Sequence, residues 1–321
     1  MKRFLAALAC AFPLVTAGAQ AQTYPDRQIK LVVPFAAGGA VDSMARIIGA
    51  KLQEALKQPV IVENRPGAGG NIAAQEVARA PADGYTMLLT TVGHAISPSI
   101  NKKLAYDPVA DFAPVTQVIS ASLLLVTNPK FPGATLDELL RIAREKPGVL
   151  NYGSTGLGNP LHLTMEMLKI AAKVDIKMVP FRGDAPLNQG LVQGDIEMAV
   201  SPLGTARPQV EAGALRAIAV TGERRSKAMP DVKTIAEQGF PGFSTDSWQG
   251  LFFPAKTPEA IVTRIQQEVA RALKDPMVIQ RIEAFGSEPV GSTPEAFAAF
   301  VKSEIAKYAK LVKDANIPQQ D

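Results

Sequence analysis

Short runs of consecutive apolar residues alternate along the chain with segments in which apolar residues recur every three or four positions. The apolar runs predict strands covered on both faces, as in a parallel sheet, and the periodic segments predict amphipathic helices. The predicted strands span 29–33, 60–63, 86–91, 149–153, 176–180, 196–200, 215–220 and 248–253. This alternation indicates an α/β fold with doubly wound sheets.

Capping residues mark the start of several predicted helices. The segment 41–56 has an apolar stripe, and Thr135 and Glu138 have the spacing of a capping box. Thr257 and Thr293 are each followed by proline and glutamate, so each is predicted to cap a long C-terminal helix. We expect these two helices over residues 258–274 and 294–313.

The first 21 residues differ from the rest of the chain. Lys2 and Arg3 precede an apolar stretch over 4–17 that is too short to span a bilayer, and the small residues that follow fit a signal-peptidase site. We expect cleavage after Ala21, so residues 1–21 are a predicted signal peptide and the mature protein is predicted to be soluble and periplasmic. A buried N-terminal helix is the alternative.

Composition argues against several classes of function. The only cysteine of the 321 residues, Cys10, lies in the predicted signal peptide, which leaves no thiol for a disulfide, a nucleophile or a metal site. The formal net charge is +4, and removal of Lys2 and Arg3 leaves +2, which is too weak to predict nucleic-acid binding. The two histidines, His94 and His162, lack the spacing of a metal pair. We expect no metal and no cofactor.

The length favours two domains, yet no long linker separates them. We therefore expect the chain to cross between two lobes through strands near 116–127 and 246–254. This gives a first lobe of residues 22–121 plus 247–321 and a second lobe of residues 122–246. A hinge at the crossings and a ligand cleft between the lobes follow from that arrangement.

Three glycine-containing loops each follow a predicted strand and precede a helix. In the first loop, Gly38 and Gly39 leave the N–H groups of the next helix accessible to an anion such as a carboxylate. The other two loops lie at 84–95 and 153–162. Asp42 is predicted to favour the helix dipole rather than to contact ligand. Three such loops without an evident catalytic group favour a protein that holds an acid; tight structural turns are the alternative.

Polar side chains near strand ends extend the candidate site. Hydroxyls end the strand 86–91 and open the loop 153–162. Arg182 offers a guanidinium fork suited to a carboxylate, although a surface arginine is the alternative. The predicted ligand-binding residues are Phe35, Ala37, Gly38, Gly39, Thr91, His94, Ser154, Thr155, Gly158, His162, Arg182 and Gly183.

A serine hydrolase is the alternative from a different class. Ser154, His162 and an aspartate could form a triad, but the glycines around Ser154 miss the Gly-x-Ser-x-Gly spacing by one residue. We therefore expect a binding protein rather than an enzyme.

Short motifs in a fixed order resemble the substrate-binding proteins of the tripartite tricarboxylate transporter system, the Bordetella-uptake-gene family. The motifs are YPDR at 24–27, VPFAAGG at 33–39, VENRPGAGG at 62–70, DGYT at 83–86, YGSTG at 152–156, VPFRG at 179–183, RAIAVT at 216–221 and SWQGLF at 247–252. Because they run through the whole predicted mature chain, the resemblance covers the protein end to end.

The resemblance implies a two-lobed periplasmic-binding-protein type II fold, the Venus flytrap, that closes over a small organic acid. It implies that loop 34–40 holds a carboxylate through backbone N–H groups and waters, and that hydroxyls of Thr91, Ser154 and Thr155 add hydrogen bonds. It further implies delivery to inner-membrane transporter subunits; some family members instead present their ligand to a sensor kinase. We expect a monomer.

The chain departs from the family pattern in the second predicted lobe. It reads NQGLVQG over 188–194, where the family commonly has an Asp-Leu-Leu-Gly-Gly run, and SPLGT over 201–205, where an acid or a bulky residue is frequent. These positions approach the cleft, so the far end of the ligand is not predicted. Mono-, di- and tricarboxylates, aromatic acids and amino acids all stay open.

Overall fold

The computed structural model describes residues 24–320, so the predicted signal peptide lies outside the described residues. The strands are β1 (Ile29–Val33), β2 (Val60–Asn64), β3 (Thr86–Thr91), β4 (Phe112–Thr127), β5 (Asn151–Ser154), β6 (Lys177–Pro180), β7 (Met198–Pro202), β8 (Arg216–Val220), β9 (Asp246–Pro254) and β10 (Glu288–Pro289). The helices are α1 (Ala40–Leu56), α2 (Asn71–Ala78), α3 (Gly93–Ile100), α4 (Leu136–Glu145), α5 (Pro160–Ala172), α6 (Asp184–Gln193), α7 (Leu203–Glu211), α8 (Glu259–Ala272), α9 (Pro276–Ala284) and α10 (Pro294–Asp314).

Every predicted strand is confirmed, with ends that differ by at most about two residues. The prediction of parallel pairing is wrong for the strands predicted over 215–220 and 248–253, because β8 runs antiparallel to β4 and β9 runs antiparallel to both β3 and β4. A strand that is buried on both faces has the same apolar sequence in either direction, so the pattern alone does not distinguish the two kinds of pairing.

The capping predictions are confirmed for two helices and wrong for a third. Thr135 and Glu138 form the reciprocal capping box of α4, and the Thr293 side chain caps α10. Thr257 does not cap α8, because its hydroxyl donates instead to the carbonyl of Pro254 at 2.8 Å and a proline precedes the helix. The helix predicted over 258–274 ends at Ala272, two residues earlier.

The strands form one sheet order, β2-β1-β3-β9-β4-β7-β5-β6, with β8 and β10 also paired to β4. Strand β4 is shared by two halves of the molecule. Its residues 112–122 pair with β9, and its residues 123–127 pair with β7 and β8. The chain is therefore an α/β protein of two lobes joined through strands. The lobe boundaries at 121–122 and 246–247, and the hinge there, stay predictions.

Helices cover both faces of each half of the sheet. On β1, Leu31 packs into the apolar cluster of one face and its neighbour Val32 into that of the other. On β4, Leu125 and Leu124 divide in the same way between the two clusters of the second half. Such alternation follows from the two-residue period of a strand. Within residues 24–320, no helix combines the length and apolar character needed to cross a bilayer.

Candidate ligand-binding cleft

A cavity of about 580 Å³ is lined by residues from both halves of the molecule. The first half contributes the start of α1, the end of β3, the start of β9 and part of β4. The second half contributes the starts of α5 and α7 and Thr155. None of the described residues that line this cavity is an aspartate, glutamate, lysine or arginine. The cleft therefore offers a ligand hydroxyls, amides, backbone groups and apolar side chains, without a side-chain charge.

Helix α1 begins at the cavity without a side-chain cap. Gly39 precedes it in an extended conformation and makes no side-chain cap bond, and Ala40 and Val41 of the first turn line the cavity. The first N–H groups of a helix lack carbonyl partners within the helix and carry the positive end of its dipole. This end of α1 can therefore donate hydrogen bonds to an anion in the cleft.

Asp42 fixes the loop that leads into α1. Its buried carboxylate accepts hydrogen bonds from Arg46 at 2.9 and 3.0 Å, from the Gly38 N–H at 2.9 Å and from the Asn64 amide at 3.0 Å. These bonds, above all those from Arg46, lower its pKa to about 2. The Asn64 amide also donates to the carbonyl of Phe35 at 2.9 Å. The acid predicted to favour the helix dipole is thus also the hydrogen-bonding centre of the loop.

The loop before α5 is held by its own side chains. Asn159 caps α5 by accepting from the His162 N–H at 2.8 Å, and its amide donates to the Thr155 hydroxyl oxygen at 3.0 Å. The Thr155 oxygen accepts this bond, so the hydroxyl proton is available for a ligand acceptor. The Ser154 hydroxyl is buried and donates to the carbonyl of Gly156 at 3.1 Å.

Helix α7 is the third helix that begins at the cavity. Pro202 precedes it without a side-chain cap bond, and Leu203, Gly204 and Thr205 line the cavity with it. Gly204 also brings the two halves into contact, because a Cβ built on it would overlap the carbonyl oxygen of Phe285 at the end of α9. Glycine at this position therefore allows a backbone-to-backbone approach at the rim of the cleft.

Neither predicted histidine lines the cavity. His94 is packed against the rings of Tyr106, Phe112 and Phe252, and burial lowers its pKa to about 4. One ring nitrogen lies 2.9 Å from the carbonyl oxygen of Pro108.

His162 is also buried, and its Nδ1 accepts from the Gly158 N–H at 3.2 Å. Burial lowers its pKa as well. The hydrogen-bond partners of Ser154 and His162 are therefore backbone groups, and the arrangement expected of a hydrolase dyad is not formed by these two side chains.

The predicted site residues fall into four groups in the structure. Thr91 and Thr155 line the cavity, and residues 35–39 and Gly158 belong to the loops that precede its helices. Ser154 and the two histidines are buried outside the lining. Arg182 and Gly183 are exposed on the loop between β6 and α6, which is not part of the lining. Ligand contact by any of them stays a prediction.

The stretch 201–205, expected to approach the cleft, lines the cavity from Pro202 to Thr205. Sequence reasoning missed several other lining residues, chiefly on α1, β4 and β9. Their patterns are those of ordinary core or helix residues, as for Met44 and Ile119. Gln249 is the exception that carried a signal, since it is a polar residue within the buried and mostly apolar stretch 248–254 of β9. Within residues 24–320, no group of histidine, cysteine, aspartate and glutamate side chains has a geometry that could hold a metal ion.

The sequence matches known proteins over nearly its whole length. The model of the family described as "Tripartite tricarboxylate transporter family receptor" matches residues 44–317. BugT of Bordetella pertussis is 34% identical over 306 residues, which is 94% of this chain and 93% of BugT.

Two solved structures extend this comparison to the fold. An R. palustris protein solved with adipate is 38% identical with a TM-score of 0.79, covering 92% of this chain and 100% of that one. MatC from Rhodopseudomonas palustris, with bound malate, is 35% identical with a TM-score of 0.74, covering 90% and 100%. This likeness confirms the predicted two-lobed type II fold.

Proposed function

Because the chain belongs to the tripartite tricarboxylate transporter receptor family, a family of solute-binding receptors, we propose that it captures a small organic acid in the cleft described above. In this proposal the protein is periplasmic, returns its ligand chemically unchanged and delivers it to the membrane subunits of a tripartite transporter. Two structural relatives were solved with dicarboxylic acids, adipate and malate, which supports a carboxylate as the ligand.

The observation that carries the proposal is the convergence of three helix N-termini on one uncharged cavity. Helices α1, α5 and α7 all begin there, and α1 and α7 have no side-chain cap. Their N–H groups and dipoles favour an anion, and no carboxylate side chain lines the cavity to repel it. A ligand carboxylate can therefore keep its charge in the cleft if several of these donors reach it.

Binding is tested with the protein stripped of bound ligand by unfolding and refolding. We expect thermal shifts with carboxylic acids and none with the corresponding amides, since an amide carries no charge. A ligand at about 100 times its Kd adds about 2.7 kcal/mol to the free energy of unfolding. Recovery of the intact acid after long incubation separates a receptor from a hydrolase. The absence of a shift with every acid would refute the carboxylate assignment.

The role of the α1 N-terminus is tested by Ala40→Pro. Ala40 is the first residue of α1, where proline is tolerated, so the variant removes one N–H donor without breaking the helix. We expect carboxylate affinity to fall about tenfold, the typical effect of losing one hydrogen bond to a charged group. Glu259→Pro, at the start of α8 and outside the cavity, is the matched control. Equal affinity in both variants would exclude α1 from carboxylate binding.

Delivery to a transporter is tested separately. Membrane vesicles that contain the large and small permease subunits should take up the labelled acid only when the loaded protein is added. If uptake does not depend on the protein, the proposed delivery to the transporter is wrong, whereas the proposed ligand binding is unaffected.

A further inference from the structure

The amide oxygen of Gln249 is a buried polar atom in the lining of the cleft that lacks a hydrogen-bond partner within residues 24–320. Gln249 lies on β9, lines the cavity and is only 7% exposed. Its Oε1 has no hydrogen-bond partner among the described residues. A buried, unpaired amide oxygen is costly, so such a group in a native protein needs an explanation. A bound ligand that supplies the missing partner is the explanation that its position favours.

The register of the sheet places this amide on the cavity side. Gln249 is the pairing partner of Thr91 on β3 and of Ile119 on β4, and both of these residues also line the cavity. Directly paired residues carry their side chains on the same face of a sheet. The terminal torsion of glutamine is broad, so Oε1 can turn towards a hydrogen-bond donor on a ligand without strain.

Most of the surface around Gln249 is apolar. Three helices, strand β4 and the residue after α9 contribute apolar side chains to the lining: Met44, Ile119, Leu123, Leu161, Leu203 and Phe285. A volume of about 580 Å³ lies within the range of about 300–1,000 Å³ typical of clefts that enclose ligands larger than a single acid group. Burial of an apolar ligand body against these side chains is favourable, whereas a third carboxylate would be buried without a cationic partner.

We infer that the ligand is a carboxylic acid with an apolar body, aromatic or of about six carbons or more, that carries a hydroxyl or N–H group which pairs with Gln249. This inference rests on the proposed function, because it concerns the same cleft. The acid group is bound by backbone N–H groups and hydroxyls, and the apolar side chains bind the body. Among acids of similar size, those that donate a hydrogen bond to Gln249 bind more tightly than those that leave its amide oxygen unpaired.

The test measures Kd by calorimetry for matched acids on the mature protein. The pairs are benzoate against 3- and 4-hydroxybenzoate and adipate against 3-hydroxyadipate, with citrate as the polar tricarboxylate. We expect the best hydroxylated acid to bind about tenfold more tightly than its parent and than citrate. In Gln249→Leu this preference should disappear.

The Tm of the ligand-free Gln249→Leu variant distinguishes a ligand-binding role of Gln249 from a structural one. Replacing an unpaired buried amide by an apolar side chain of similar length should leave the Tm of the ligand-free protein unchanged or raise it. Gln117→Leu on the adjacent strand β4 is the matched control, because Gln117 lines a different cavity and should affect neither quantity.

Each outcome decides between the two proposals. If citrate binds best, or if Gln249→Leu keeps the preference for the hydroxylated acid, the inference is overturned while the proposed function stands. If Gln249→Leu lowers the Tm of the ligand-free protein and leaves every Kd unchanged, Gln249 has a structural role and the inference is again overturned. If no acid binds to the wild-type protein, the proposed function itself fails.

Discussion

Replacing Asp42 by asparagine tests whether one buried carboxylate organises the loop before α1. All of its hydrogen-bond partners are donors: the Arg46 guanidinium, the Gly38 N–H and the Asn64 amide. Asparagine has an NH2 group in place of one carboxylate oxygen, so in Asp42→Asn this NH2 group would face other hydrogen-bond donors. The variant therefore loses a charge and gains an unfavourable contact.

The magnitude follows from the pKa of Asp42, which the Arg46 hydrogen bonds lower from 3.8 to about 2. At about 1.36 kcal/mol per pKa unit this corresponds to about 2.4 kcal/mol of stability at neutral pH. The Arg46 side chain is 56% exposed, so solvent screening reduces the expected value to about 1–2 kcal/mol. Because the folded pKa is the lower one, this stability is present above pH 4 and is lost as the pH falls towards 2.

The assay is urea unfolding of wild type and Asp42→Asn between pH 3 and pH 7. The difference in free energy of unfolding should be largest at pH 7 and should narrow towards pH 3. Asp314→Asn is the control, because Asp314 forms an exposed ion pair with Lys310 on α10, and such pairs contribute little. If the two proteins have the same free energy of unfolding, or differ by the same amount at every pH, the charge of Asp42 does not stabilise the loop.

Three further predictions concern the rim, a buried ring and a helix start. Gly204→Ala should push α7 away from the backbone of Phe285 and weaken ligand binding in calorimetry, whereas Gly49→Ala, whose added Cβ makes only ordinary contacts, should not. Burial lowers the pKa of His94 to about 4, so the ring binds a proton more readily in the unfolded chain than in the folded protein. The free energy of unfolding should therefore decrease as the pH falls below 6.5. In thermal melts across pH 4–8, His94→Phe should reduce this dependence of Tm on pH. Thr293→Ala removes the cap of α10 and should cost about 1 kcal/mol in urea unfolding; an unchanged midpoint would contradict that role.

The sequence pattern predicts the elements of this fold well and their mutual arrangement less well. An apolar run reports that a strand is buried, which is why the strands at 29–33 and 86–91 are found as predicted. The direction of β9 depends on which strands it joins across the molecule, and no local pattern records that. Thr257 shows the same limit, since the carbonyl that its hydroxyl reaches is created by the end of β9.

The sequence predicts the parts of the candidate site that loops form. It does not predict the lining residues that lie within helices and strands. Glycine and hydroxyl residues after strands indicate loops at a sheet edge, and the structure places Thr91 and Thr155 at the cavity. Met44 lines the same cavity from a helix and is also part of a core cluster, so its sequence position carries no distinguishing signal. His94 is polar in sequence but takes the role of a core aromatic ring, because its surroundings keep it neutral.

The sharing of β4 between the two halves has a consequence for the order in which the protein folds. Strands β5, β6, β7 and β8 follow β4 directly in the chain, so the second half is built from consecutive segments. The sheet of the first half is completed only by β9, which pairs Leu88 with Phe252 and so closes a much longer loop. Since longer loops cost more entropy to close and slow folding, the second half should acquire its native pairing first. A chain that ends before β9 would then hold a formed second half beside an incomplete first one.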